Sequence, residues 1–143
     1  MKPLIIILTG VLLTIGCTKS DSGKKNAAVA AQLFDAFNRH DWQEMTSLYA
    51  EDASFLDPSY GKAYVTKSRQ ETIEKYTEME KMFPDIRDEV VGTYPSGDVV
   101  TVEFISTGKM NDSISFTLPI ISVLTFKDGL IVKYATYYDL ENP

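Results

Sequence analysis

Beyond residue 85 the chain stops reading as helix. Four runs rich in β-branched and aromatic residues follow, at 90–91, 99–107, 114–126 and 130–138. They are separated by Pro95-Ser96-Gly97-Asp98, by residues 108–112 and by Lys127-Asp128-Gly129. Runs of this kind, bounded by turn formers, are strands joined by hairpins. Val100, Val102 and Phe104 alternate with Thr101 and Glu103, so one face of the sheet is apolar and the other polar. An apolar sheet face must be buried against another layer, and the residues before 85 supply one.

Those residues carry a helical period. Ala30, Leu33, Phe34 and Phe37 share one face of a helix over 27–39. Asp41, with Glu44 three residues on, signals the start of a second helix, whose buried side holds Trp42, Met45, Leu48 and Tyr49. Residues 53–56 read as a short strand stopped by Asp57-Pro58. Ser68 with Glu71 opens a third helix, with Ile73, Tyr76, Met79 and Phe83 inward, and Pro84 ends it. Three helices followed by an antiparallel meander predict an α+β fold, a curved antiparallel sheet packed on three N-terminal helices. A sheet that curls around helices leaves a cone-shaped cavity, the default place for a ligand.

The first residues are of another kind. Lys2 precedes an apolar run over 3–16, which ends at Gly16 beside Cys17, the only cysteine. A positive start, a short apolar stretch and a small residue form a secretory signal peptide, and the run is shorter than the roughly 20 residues that span a bilayer. Cysteine at this place resembles the lipid-attachment site of bacterial lipoproteins. The resemblance implies cleavage after residue 16, lipid on Cys17 and membrane anchoring in the cell envelope. Thr18 after the cysteine implies the outer membrane; the membrane face is left open. An ordinary signal peptide with an incidental cysteine is the alternative. Residues 17–26, polar and rich in Lys and Ser, read as lipidated cysteine and flexible tether, and 27–143 as one domain.

Composition narrows the partners. The net charge of −6, without a Lys/Arg cluster, argues against nucleic acid. One histidine and one cysteine leave no zinc or iron ligand set, and no metal or other cofactor is expected. His40, in the loop between the first two helices, reads as solvated.

The run Asn38-Arg39-His40-Asp41-Trp42, followed by Leu48-Tyr49-Ala50-Glu51-Asp52-Ala53 and Phe55-Leu56-Asp57-Pro58, resembles the opening of the nuclear transport factor 2-like superfamily. Within it, the similarity is to SnoaL-like and ketosteroid isomerase-like domains. Arg69, Glu71 and Ile73, then Phe126-Lys127-Asp128-Gly129 and Tyr137-Tyr138-Asp139, extend the resemblance over nearly all of 27–140. It implies the cone-shaped fold; the fold hosts binding modules and enzymes alike.

The resemblance makes Asp57 the candidate proton-shuttling base, by its place before Pro58. Counted without gaps, the isomerase oxyanion-hole positions fall on Leu33 and Ser122, and the cyclase His and Asp positions on Ser122 and Thr136. Losing an oxyanion donor typically costs about 3 kcal/mol. A non-catalytic domain that binds a small apolar or amphipathic ligand or a protein partner is therefore the first reading, and an isomerase, cyclase or hydrolase using Asp57 as general acid/base the alternative. Asp57 has a second role open to it, capping the turn after its strand. Tyr60, Tyr64, Tyr76, Met79, Phe83, Phe104, Ser122 and Tyr138 are the expected ligand contacts, suited to a small apolar or amphipathic molecule. A homodimer through the sheet is a further expectation.

Overall fold

The computed structural model describes residues 19–111 and 113–139. The expected signal peptide and Cys17 lie outside them. Three helices, α1 (Lys19–Asn38), α2 (Trp42–Ser47) and α3 (Arg69–Met82), cover one face of a six-stranded sheet. The strands are β1 (Tyr49–Leu56), β2 (Val65–Lys67), β3 (Arg87–Ser96), β4 (Val99–Asn111), β5 (Ile114–Lys127) and β6 (Leu130–Tyr137). Their spatial order is β2-β1-β6-β5-β4-β3.

The sheet is mixed, a departure from the antiparallel expectation. β3 to β6 form the meander, but β1 lies parallel to β6, with Phe55 opposite Tyr134 and Leu56 opposite Ala135. Parallel neighbours need a long crossover, and here the crossover is the rest of the domain. It brings the end of β1, with Asp57, beside the end of β6, with Tyr138.

Local chemistry sets most boundaries. Asp41 accepts the Glu44 N–H at 2.9 Å and starts α2, but the Glu44 carboxylate bonds Arg39 at 2.6 Å rather than closing a capping box. In α3 the box is complete: Ser68 accepts from Glu71 N–H, and Glu71 accepts from Ser68 N–H at 2.9 Å. That backbone bond, with Lys67, draws the Glu71 carboxyl down to about 2. Asp128 and Gly129 both have positive φ, 52° and 79°, the requirement of the tight hairpin between β5 and β6. Pro119 sits in β5 opposite Ile105 of β4, where β6 no longer reaches, since β6 ends opposite Ile121. Its missing N–H therefore breaks no ladder on that side.

One segment differs from expectation. Helix α1 begins at Lys19 rather than residue 27, so 19–26 are helical and not a loose tether. The cause is tertiary: Asn26, almost wholly buried, donates its amide to Gly97 O at 3.1 Å in the β3–β4 turn, and Gly23 packs beside Pro95. Val90 and Val91 lie on edge strand β3 at a bulge before Gly92 and are exposed. The bulge, Pro95 and the charges of Arg87 and Glu89 protect that edge from pairing with another chain.

The core lies between α1 and the inner sheet face. Phe34 meets Phe104 edge-on at 4.8 Å, above fully buried Val100 and Val102. His40 is not solvated. Its ring stacks on Trp42 at 5.2 Å, with its nitrogens 2.9 Å from Ile86 O and 3.2 Å from Glu80. Glu80 also accepts the Trp42 N–H at 2.8 Å, so His40 is a pin between α2, α3 and the start of β3. On α3, Ile73, Tyr76 and Met79 are only partly buried. Tyr76 and Met79 border a cavity rather than packed protein.

Candidate functional site

Asp57 follows β1 and has both roles that its sequence context allows. Its Oδ1 accepts the Ser59 N–H at 2.8 Å and so caps the short turn over Pro58–Tyr60. The same carboxyl lines the cavity. Lys75 of α3 bonds Oδ2 at 2.9 Å and reaches Ser59 Oγ at 3.2 Å, and the Tyr138 hydroxyl donates to Oδ1 at 2.9 Å. The Lys75 ammonium rests 4.2 Å from the centre of the Tyr60 ring. Burial alone pushes the Asp57 carboxyl up. The Lys75 charge and the bonds from Ser59 and Lys75 outweigh it and hold the group below the ordinary range. Burial, then the Asp57 charge, pushes the Tyr138 phenol up.

The cavity measures about 250 Å³, at the small end for ligand sites. Its α3 wall is Tyr76 and Met79. The sheet wall is Phe104, Phe116, Leu118 and Ile120, with the hydroxyls of Ser106 and Thr136. Phe83 stands behind Phe116 in a perpendicular ring contact at 5.0 Å and supports the wall. Gly108 makes that approach possible: a Cβ there would come within 2.7 Å of the Phe116 ring and 3.2 Å of Phe83 Cβ. A cleft of about 300 Å³ between α1 and β3 is slightly larger, but Asp35, Arg87 and Glu89 line it and it lacks the apolar enclosure.

Asp88 of β3 forms part of the wall of both. It is 7% exposed, and among the described residues its Oδ1 has no hydrogen-bond partner. Its backbone is fixed from both sides by Asn38, whose amide donates to Asp88 O and accepts from Asp88 N–H, each at 2.8 Å. Burial raises the Asp88 carboxyl to about 7, and a bond from Ser106 only partly offsets that. Two carboxyls in one cavity are thus driven in opposite directions. Such divergence is a mark of acid–base sites.

Of the expected contacts, Asp57, Tyr76, Met79, Phe104 and Tyr138 line the cavity together. Others do not. Tyr60 lies outside it under Lys75. Tyr64 is half exposed on a loop, 5.7 Å from the Lys133 ammonium. Ser122 is fully buried behind the wall, bonded to Tyr134 and Thr136 at 3.1 Å each, and offers nothing to a ligand. Leu33 is core. The expectation missed Lys75, Asp88, Ser106 and Tyr134, and named Thr136 only as a lost catalytic position. One signal for Asp88 was present: Ile86 and Asp88 alternate with Arg87 and Glu89, so a strand there puts Asp88 on the inner face. Among the described residues no cluster of metal-ligating side chains exists, and no helix is long and apolar enough to cross a membrane.

The SnoaL-like domain model matches residues 30–134. The chain belongs to the SnoaL-like family. Its fold is that of the nuclear transport factor 2-like superfamily. No curated protein matches this SnoaL-like chain. Solved structures do. A protein of ketosteroid isomerase-like fold from Catenulispora acidiphila, in complex with trimethylamine, superposes with TM-score 0.69 at 20% identity, over 78% of this chain and 85% of its own. An epoxide hydrolase from M. tuberculosis gives 0.70 at 12%, over 84% and 86%. The cyclase-like IdmH from Streptomyces antibioticus gives 0.68 at 23%, over 80% and 91%. At these identities the likeness is one of fold.

Proposed function

We propose that this SnoaL-like domain binds a small, mainly apolar molecule whose one polar group pairs with Asp88, and that lipid on Cys17 holds the domain at a bacterial envelope, in the outer membrane. The observation that carries the binding reading is the unpaired Asp88 Oδ1 in the wall of an otherwise apolar cavity. A buried acceptor without a donor costs about 1–3 kcal/mol, and a ligand that brings the donor recovers it. Asp57, already bonded to Ser59, Lys75 and Tyr138, acts as the lock that joins β1, α3 and β6 at the cavity's other end.

A thermal-shift comparison tests this. Compact amphipathic molecules should raise the melting temperature of wild type, by mass action on the folded state, and the shift should shrink in Asp88→Asn. Shifts that are equal in the two proteins would remove Asp88 from the site. For the anchor, Cys17→Ser should move the protein from the membrane fraction to the soluble fraction; unchanged sedimentation would end the lipoprotein reading.

An enzyme reading is favoured by one observation, a carboxyl raised to about 7, where a proton moves readily in both directions at neutral pH. In that reading Asp88 carries the proton, since Asp57 is held ionised. Loss of turnover in Asp88→Asn with only a modest effect in Asp57→Asn would support it, and the reverse order would restore Asp57 as base.

A further inference from the structure

We propose that the cavity takes a small organic amine in its protonated form, its ammonium bonded to Asp88 and its alkyl part enclosed by the surrounding rings. This rests on the reading of the cavity as a ligand site.

The charge balance is the first argument. Three side chains able to carry charge line the cavity: Asp57, Lys75 and Asp88. Asp57 and Lys75 neutralise one another at 2.9 Å, with side chains 16% and 19% exposed. Asp88 is left over, and no cation among the described residues pairs with it. Its partners are Ser106 and its own backbone contacts to Asn38. An anionic ligand adds a second uncompensated charge. A cation supplies the missing one.

The second argument is hydrogen bonding. Among the described residues, Asp88 Oδ1 is an acceptor without a donor. A protonated amine carries donors and no acceptor, so it supplies the missing donor, and the hydroxyl oxygens of Ser106 and Thr136 in the same lining are acceptors for its further N–H groups. The third is the wall chemistry. Phe37, Tyr76, Phe104, Phe116 and Tyr134 surround the space, and aromatic rings attract cations while also covering alkyl groups. The volume of about 250 Å³ limits the occupant to a compact molecule.

Proton linkage gives the inference a sign. An amine binds ionised Asp88, so binding releases the proton held by the empty site and weakens as pH falls. A carbonyl ligand binds the protonated acid and has the opposite dependence. The groups that face Asp88 are Asp35 of α1 and Arg87 and Glu89 of β3 across the neighbouring cleft, Lys75 and Tyr76 of α3, Tyr49 of β1, Asp57 after β1, Tyr134 of β6 and Tyr138 after it. Burial raises all four tyrosines, which stay neutral in this range, and Asp57 is held ionised. Asp88 is the cavity group that changes charge between pH 6 and pH 8.

The test titrates the full chain calorimetrically with 3-methylbutylamine and its neutral counterpart 3-methylbutan-1-ol, at pH 6 and pH 8. The amine stays protonated at both. It should bind at least tenfold more tightly than the alcohol at pH 8, and weaken by about tenfold at pH 6, as expected for a site that must shed a proton near pH 7. Asp88→Asn should reduce the amine to the level of the alcohol. Equal binding of the two probes, tighter binding at pH 6, or amine preference that survives in Asp88→Asn overturns the inference. Ile120→Phe, which fills the cavity, separates the two readings. If the amine binds no better than the alcohol and Ile120→Phe abolishes both, the ligand site stands and the amine class falls. If neither probe binds wild type, both fall.

Discussion

Tyr138 donates its phenolic hydrogen to Asp57 Oδ1 at 2.9 Å, across 81 positions of sequence. The bond ties the chain just after β6 to the chain just after β1, at the rim of the cavity. With Lys75 on the other oxygen, it makes Asp57 a junction of three elements.

Removing either donor should therefore cost stability. Tyr138→Phe loses one bond to an ionised acceptor, worth about 1.5 kcal/mol. Lys75→Met leaves a mostly buried carboxylate without its counter-charge and should cost more, about 2–3 kcal/mol after allowance for residual solvent access. The Asp57 carboxyl is lowered in the folded state, so its contribution is full above the unfolded value and is lost as pH falls through the folded one. Wild type should lose this increment at acid pH, and Lys75→Met should lose less there. Urea midpoints at pH 7 and pH 3 check both; equal losses at both pH values would contradict the pairing.

Asp88→Asn should stabilise the empty protein above neutrality. A carboxyl raised from 3.8 to about 7 by burial penalises the folded state, by about 1.4 kcal/mol per unit. The folded state holds the proton more tightly, so stability falls as pH rises from about 4 to about 7 and is level above. Asparagine removes the charge but keeps an amide to desolvate, so the expected gain at pH 8 is about 2 kcal/mol; the linkage over roughly three units is about 4 kcal/mol, so the gain reverses to a loss of about 2 kcal/mol near pH 4. Melting temperatures of the two proteins across that range decide it, and parallel curves would refute it.

Gly108→Ala should be destabilising although the residue lies on a strand. The new methyl enters the space of the Phe116 ring, which Phe83 backs. Overpacking of this kind costs about 1–3 kcal/mol. Because the wall of the cavity must move, ligand affinity should fall with stability; a stable variant with intact binding would show that the contact is slack.

Asn26→Ala should loosen the start of α1. The lost bond to Gly97 O is worth about 1 kcal/mol. Amide exchange at residues 21–26 should accelerate more than at 30–38, where Ala30, Leu33 and Phe34 hold the helix to the core. Uniform acceleration would mean that α1 opens as one unit.

Much of this was legible along the chain because it is local. The capping box at Ser68 and Glu71, the Asp128-Gly129 turn and the alternation at Val100, Val102 and Phe104 each need only neighbours in sequence. The helical start at Lys19 was not legible, since its anchor is Gly97, 71 positions from Asn26. Neither was the parallel pairing of β1 with β6, which no turn residue announces. At the site, Asp57, Tyr76, Met79, Phe104 and Tyr138 were found by strand ends, helix face and family likeness. Tyr64 and Ser122 were misplaced because residue type does not say whether a side chain points to solvent, to a cavity or into a filled interior.

By itself, then, the order of residues determined helices before strands, an apolar inner sheet face and membership of a family with a cavity. Only the tertiary structure decided which carboxyl holds its charge. Asp57 and Asp88 are the same residue type. One is met by Lys75, Tyr138 and a backbone N–H and stays ionised, while the other is buried with Ser106 and an unfilled acceptor and leans towards its neutral form. That difference comes from desolvation and the placing of distant donors, which are properties of the packed molecule.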